Sequence, residues 1–192
     1  MSAIAVPFPA PTPSPSLLTG EEYAEQYPDH RVELVRGIVR ELPMPGTKHG
    51  MICGRISRLL GNFTDEHALG EIMTNDSFVR TSRNPDTVLG PDVAYYSYQR
   101  LPKGQVPDGI SDVPPELVVE VRSPSDLWTD VFAKVVEYLN AGVLAVVIID
   151  EDSRTISVCR PDGSQETIPQ TGDLTIPEVL PGFSLPVARL FS

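Results

Sequence analysis

Two short apolar segments each carry one acid where an acid is costly: Gly90-Pro91-Asp92-Val93-Ala94-Tyr95-Tyr96 and Leu117-Val118-Val119-Glu120-Val121-Arg122. An ionised carboxylate inside a run such as Leu-Val-Val-Glu-Val loses much of its hydration energy unless a cation, a metal or hydrogen-bond donors replace the lost water. Residue types alone leave two solutions open. A divalent metal between Asp92 and Glu120 would satisfy both acids. Mg²⁺ takes oxygen ligands in octahedral geometry, accepts one or two protein carboxylates, and leaves the remaining positions to water and substrate phosphate. Such an ion polarises a phosphoryl oxygen and lowers the pKa of water, which is the chemistry of phosphodiester hydrolysis. In the other solution Glu120 pairs with Arg122, Lys134 or another base as a buried ion pair.

Lys134 stands one helical turn after Asp130 and one before Tyr138, so the three share a helix face. A lysine there either orients water at the acids, deprotonates it if desolvation lowers its pKa, or pairs with Asp130 on the surface. Arg122, two residues after Glu120, points to the same side of its strand. Its guanidinium stays protonated, so it stabilises charge but cannot be a base.

The elements that must position these groups follow from periodicity. Thr19 with Glu22 reads as a capping box opening a short helix through about Gln26, closed by Pro28. Arg31 to Val35 and Ile38 to Leu42 read as a hairpin turning at Arg36-Gly37. Ile52, Ile56, Leu59, Leu60 and Phe63 recur at helical spacing between Lys48 and Glu66. Strands are expected at Glu71 to Thr74, Phe78 to Thr81, Asp92 to Ser97 and Glu116 to Arg122. Ser123-Pro124-Ser125-Asp126 reads as the start of a second helix, with Val131, Val135, Val136 and Leu139 as its buried stripe and Gly142 as its end. Leu144 to Ile149, apolar on both faces, then forms a parallel pair with the Glu120 strand through a right-handed crossover. A hairpin arm at Thr155 to Arg160 turns at Pro161-Asp162-Gly163, and Leu180 to Pro186 reads as irregular, proline-broken chain. Prolines at 7, 9, 11, 13 and 15 mark residues 1–16 as an extended, disordered tail, leaving residues 17–192 as a single domain. The fold class expected is α/β (α+β), a mixed central sheet flanked by helices with an N-terminal helix and hairpin extension.

The ordered set Pro91-Asp92, Val-Val-Glu120-Val-Arg-Ser-Pro-Ser, Asp130, Lys134, Tyr138 and Gly142 resembles the Uma-type restriction-endonuclease-like family, a branch of the PD-(D/E)XK nuclease superfamily. Glu33-Leu34-Val35-Arg36-Gly37, His49 at the long helix start and Leu180-Pro181-Gly182-Phe183 fit the same pattern, so the resemblance covers about residues 17–191. It implies a restriction-endonuclease-like core in which Asp92 and Glu120 hold Mg²⁺, with Mn²⁺ able to substitute, and Glu33 is an additional acid at the site. It also implies DNA as substrate. The superfamily usually places lysine two residues after the second acid, where this chain has Arg122; in the resembling family the following helix supplies it, which makes Lys134 the candidate. His49 is peripheral in this reading, as a phosphate contact or a structural residue, and His30 and His67 have no ligand-like spacing.

Composition bounds the alternatives. The chain has 192 residues and a formal charge of −11, which argues against a general nucleic-acid binder. The distribution softens that objection, because residues 31–83 carry eight basic against six acidic side chains, +2, and all the rest carries −13. The longest apolar run, Val143 to Ile149, is seven residues, too short to span a bilayer. The N-terminus lacks a secretory pattern, and two cysteines make no disulfide framework, so a cytoplasmic location is expected. No phosphate loop, dinucleotide fingerprint or nucleophile elbow is present in the sequence. The competing reading is a non-catalytic, dimeric interaction module that retained the fold and binds protein through acidic surface. Glycoside hydrolysis by the two carboxylates ranks last, with only Tyr95, Tyr96 and Tyr98 as stacking aromatics.

Overall fold

The computed structural model describes residues 16–28, 30–74 and 77–192. The tail expected over residues 1–16 therefore lies, but for Ser16, outside the described residues. Helix α1 (Gly20–Gln26) opens on Thr19 with both halves of the capping box formed. Strands β1 (Val32–Val35) and β2 (Ile38–Glu41) pair antiparallel with Val35 opposite Ile38. The two residues between them, Arg36 and Gly37, take φ of 51° and 75°, the left-handed pair that a two-residue hairpin turn requires.

Helix α2 (Thr47–Glu66) matches its apolar spacing: Ile52, Ile56 and Leu60 are fully buried, and Leu59 and Phe63 pack partly buried against the same core. Each fully buried Ile or Leu contributes roughly 1.5–3 kcal/mol. Strands β3 (Gly70–Thr74), β4 (Val79–Ser82), β5 (Thr87–Leu89), β6 (Val93–Ser97) and β7 (Leu117–Arg122) follow, then helix α3 (Trp128–Asn140) and strands β8 (Ala145–Asp150), β9 (Thr155–Cys159) and β10 (Gln165–Ile168). Six strands form one sheet in the order β10-β9-β8-β7-β6-β3, in which β7 and β8 are parallel and every other pair is antiparallel. Four form a second sheet in the order β2-β1-β5-β4.

Alternation along β7 sorts its side chains. Leu117, Val119 and Val121 join α2 in the larger core, whereas Val118 packs with Val135 and Tyr138 of α3. Glu120 is thus committed to the α3 side of the sheet.

Four expectations are corrected. Strand β5 is too short, between Pro85 and Pro91, to show a period of its own, and it pairs with β1 and β4. Helix α3 begins at Trp128, beyond the Ser123 to Asp126 start signal, because Asp126 accepts the Ser123 N–H at 2.8 Å and closes a local turn instead of capping the helix. Val136 is 54% exposed, and the stripe is completed by Tyr138. The Leu180 to Pro186 segment is not wholly irregular: β12 (Ser184–Pro186) pairs with β11 (Asp173–Thr175), with Pro186 at the strand end, and α4 (Ala188–Phe191) follows.

Candidate active site

Strands β6 and β7 are antiparallel neighbours with Val93 opposite Val119, so Asp92 comes just beyond the ladder, beside Glu120 and Val121. Its Oδ2 accepts the Val121 N–H at 2.7 Å, a side chain continuing the pairing where the backbone ladder stops. Tyr138 donates its hydroxyl to Glu120 Oε1 at 2.8 Å, and Lys134 Nζ stands 3.8 Å from the same oxygen. Lys134 also donates to Glu33 Oε1 at 2.7 Å, and that oxygen accepts the Gly90 N–H at 3.0 Å. One acid from the four-stranded sheet, two from the six-stranded sheet and one ammonium from α3 therefore converge. Glu33 is 2% exposed and Glu120 is 9% exposed.

Burial pushes the Glu120 carboxyl up to about 8; Lys134 acts in the opposite direction, and the nearby Asp92 and Glu33 add to the rise. For Lys134, burial works to lower the pKa, but Glu120 and Glu33 outweigh it and hold the ammonium above its ordinary value. Lys134 is consequently a charged donor, and the base role conditional on a lowered pKa does not fit. Nor does it pair with Asp130, since its ammonium is turned to the acids. Arg122 is turned away from Glu120. Its Nη1 donates to Asp150 Oδ1 at 2.8 Å, opposite it in the β7–β8 register, and its guanidinium lies 4.7 Å from the centroid of the Trp128 ring. An Arg122 to Glu120 pair is thus not formed, and the cation beside Glu120 comes from α3.

His49 is more central than its spacing suggested. From the first turn of α2 its Nε2 stands 3.2 Å from Asp92 Oδ2, and its Nδ1 contacts Cys53 Sγ at 3.5 Å. The Asp92 contact, followed by Cys53, raises its pKa to about 10, against the effect of burial. The four-residue interval from His49 to Cys53 was the available sequence signal, but nothing linked it to Asp92. The backbone donors on Gly90 and Val121 carry no sequence signal.

Glu120 Oε1 and Asp92 Oδ2 hold all the protein hydrogen bonds of those two carboxyls; among the described residues no donor reaches Oε2 or Oδ1. Glu120 Oε2 and Asp92 Oδ1 are thus left without protein donors among the described residues, and carboxylate oxygen is the donor type that a hard divalent cation takes.

The family described as "Uma2: Putative restriction endonuclease" matches residues 21–188 of the chain. The chain is also similar to a solved structure from Anabaena variabilis ATCC 29413 titled as a putative nuclease belonging to DUF820. The two share 20% identity with a TM-score of 0.79, covering 91% of this chain and 97% of that one, a likeness of fold. No curated protein matches.

Proposed function

We propose, because the chain belongs to the Uma2 family of putative restriction endonucleases, that it is a Mg²⁺-dependent endonuclease hydrolysing phosphodiester bonds of DNA at the Asp92–Glu120 site. The observation that carries this reading is the convergence of Glu33, Glu120 and Lys134, with Lys134 Nζ 2.7 Å from Glu33 and 3.8 Å from Glu120, beside an Asp92 whose Oδ1 meets no donor among the described residues. Mg²⁺, or Mn²⁺ in its place, would supply Lewis-acid polarisation of the phosphoryl group and acidification of water.

The chain's own residues do the rest. Asp92 is fixed by the Val121 N–H, and Glu120 by the Tyr138 hydroxyl, which leaves the other oxygen of each for an ion. Lys134 keeps its proton and offers N–H groups to the attacking water or to a phosphate oxygen that gains charge in the transition state. Glu33 restrains the ammonium from behind and is itself restrained by Gly90. Val121 donates from within β7 and Gly90 from the residue that follows β5, so backbone groups next to or within the sheets hold Asp92 and Glu33. Among the described residues no helix is long and apolar enough to cross a membrane.

The test is cleavage of supercoiled plasmid in Mg²⁺, Mn²⁺ or EDTA by the wild-type chain and by Asp92→Ala and Glu120→Ala, with circular dichroism to verify folding. Cleavage that needs the divalent ion and vanishes in both folded variants is expected. Undiminished cleavage in the variants would remove the mechanism, and no cleavage of any DNA by the metal-loaded wild type would favour the interaction module. Nicked circles are the product of single sites, and direct linearisation is that of paired sites in a homodimer.

A further inference from the structure

His49 and Cys53 have no task in the reaction above, yet both face one of its acids. They stand one turn apart on α2, partly buried, and one donor atom from each of His49, Cys53 and Asp92 lies within 4.8 Å of the other two. Imidazole nitrogen, thiolate sulfur and carboxylate oxygen form a different donor set from the carboxylate oxygens of Asp92 and Glu120. Hard Mg²⁺ disfavours sulfur, whereas Zn²⁺ takes all three donor types. We propose that His49, Cys53 and Asp92 form a second metal site, selective for Zn²⁺ or a similar borderline divalent ion, that shares Asp92 with the magnesium site so that the two ions exclude one another.

The geometry needs only side-chain adjustment. Tetrahedral Zn²⁺ holds such donors roughly 3.3–3.7 Å apart, against the present 4.8 Å bound and the existing contacts of 3.2 and 3.5 Å. The four-residue interval on a helix is also the one by which paired ligands reach a common ion. Only one imidazole nitrogen bonds the ion, so His49 exchanges its two present contacts for one metal bond. Binding releases the Cys53 thiol proton and the proton shared by His49 and Asp92, and water completes the fourth position. Mutual exclusion rests on the two-carboxylate reading; the softer site does not.

Co²⁺ titration of the full, EDTA-stripped chain tests the site without reference to activity. Tetrahedral Co²⁺ bound to thiolate gives a near-ultraviolet charge-transfer band with visible ligand-field bands. We expect both, bleached by one equivalent of Zn²⁺, retained in Cys159→Ser, lost in Cys53→Ser, and requiring more than about tenfold higher Co²⁺ in His49→Ala, all with unchanged circular dichroism. No thiolate band, or a band that survives Cys53→Ser, would overturn the site. Calorimetric Mg²⁺ titration then tests exclusion: affinity should fall at least tenfold in the Zn²⁺-loaded chain, and equal affinity would refute sharing of Asp92. Absence of Mg²⁺ binding by the metal-free chain counts instead against the two-carboxylate reading, while the cobalt spectrum still decides the softer site.

Discussion

Replacing Glu120 by Gln keeps the shape of the side chain and removes a charge from the most desolvated part of the acid cluster. The carboxyl has an ordinary value of 4.5 and is pushed to about 8 in the fold, first by burial. Each pKa unit corresponds to about 1.4 kcal/mol, so the ionised form is disfavoured by at most about 5 kcal/mol, an upper bound because water penetration and relaxation weaken buried electrostatics. The sign follows from proton counting. Between these two values the folded chain retains a proton that the unfolded chain has released, so wild-type stability falls as pH rises through that window. Gln stays neutral throughout. Without metal, Glu120→Gln should match the wild type near the lower limit, become progressively more stable across the window, and hold a constant advantage of a few kcal/mol above it. Urea unfolding in EDTA from about pH 5 to pH 9 measures this. Saturating Mg²⁺ should narrow the gap at the alkaline end, since ligand at a hundred times its Kd adds about 2.7 kcal/mol to a chain that binds it. A variant no more stable than the wild type at the alkaline end in EDTA refutes the claim that Glu120 carries an electrostatic penalty that a metal relieves.

Two further perturbations separate catalytic charge from architecture. Lys134→Met preserves the packed stem and removes the ammonium, and should lower Mg²⁺-dependent cleavage roughly a hundredfold while calorimetry still detects the ion; loss of ion binding together with cleavage would make Lys134 a structural strut. Gly70 meets β6 so closely that an added Cβ would lie 2.0 Å from the Tyr96 carbonyl oxygen, so Gly70→Ala should cost about 3 kcal/mol and lower Tm by roughly 6–12 °C. A thermal scan showing no change would mean that β3 is free to part from β6.

The sheet was legible where burial is symmetrical. Ala145 to Ile149 is apolar on both faces, and Leu117 to Val121 is so but for Glu120, a pattern that suits the covered interior of a parallel pair, and they are the β7–β8 pair. Very short elements were not: β5 has three residues, and β12, also of three, contains Pro186. The solvent side of α3 misled the reading because Val136 is apolar but exposed, whereas Tyr138, buried by virtue of its bond to Glu120, looks amphipathic in sequence. The acids announced themselves by cost, as isolated charges in apolar strands. Lys134 did not, since its spacing suits Asp130 equally well, and only the path of α3 across the sheet turns its ammonium to Glu33 and Glu120. His49 stayed peripheral because its partner Asp92 belongs to another element.

Crystals soaked in Mn²⁺ test the pairing of Asp92 with Glu120 most directly. The expected result is an anomalous peak bridging Asp92 Oδ1 and Glu120 Oε2, with Lys134 still bonded to Glu33. An ordered site with no peak between the two carboxylates at saturating Mn²⁺ would contradict the assignment of Asp92 and Glu120 as the metal ligands of a nuclease.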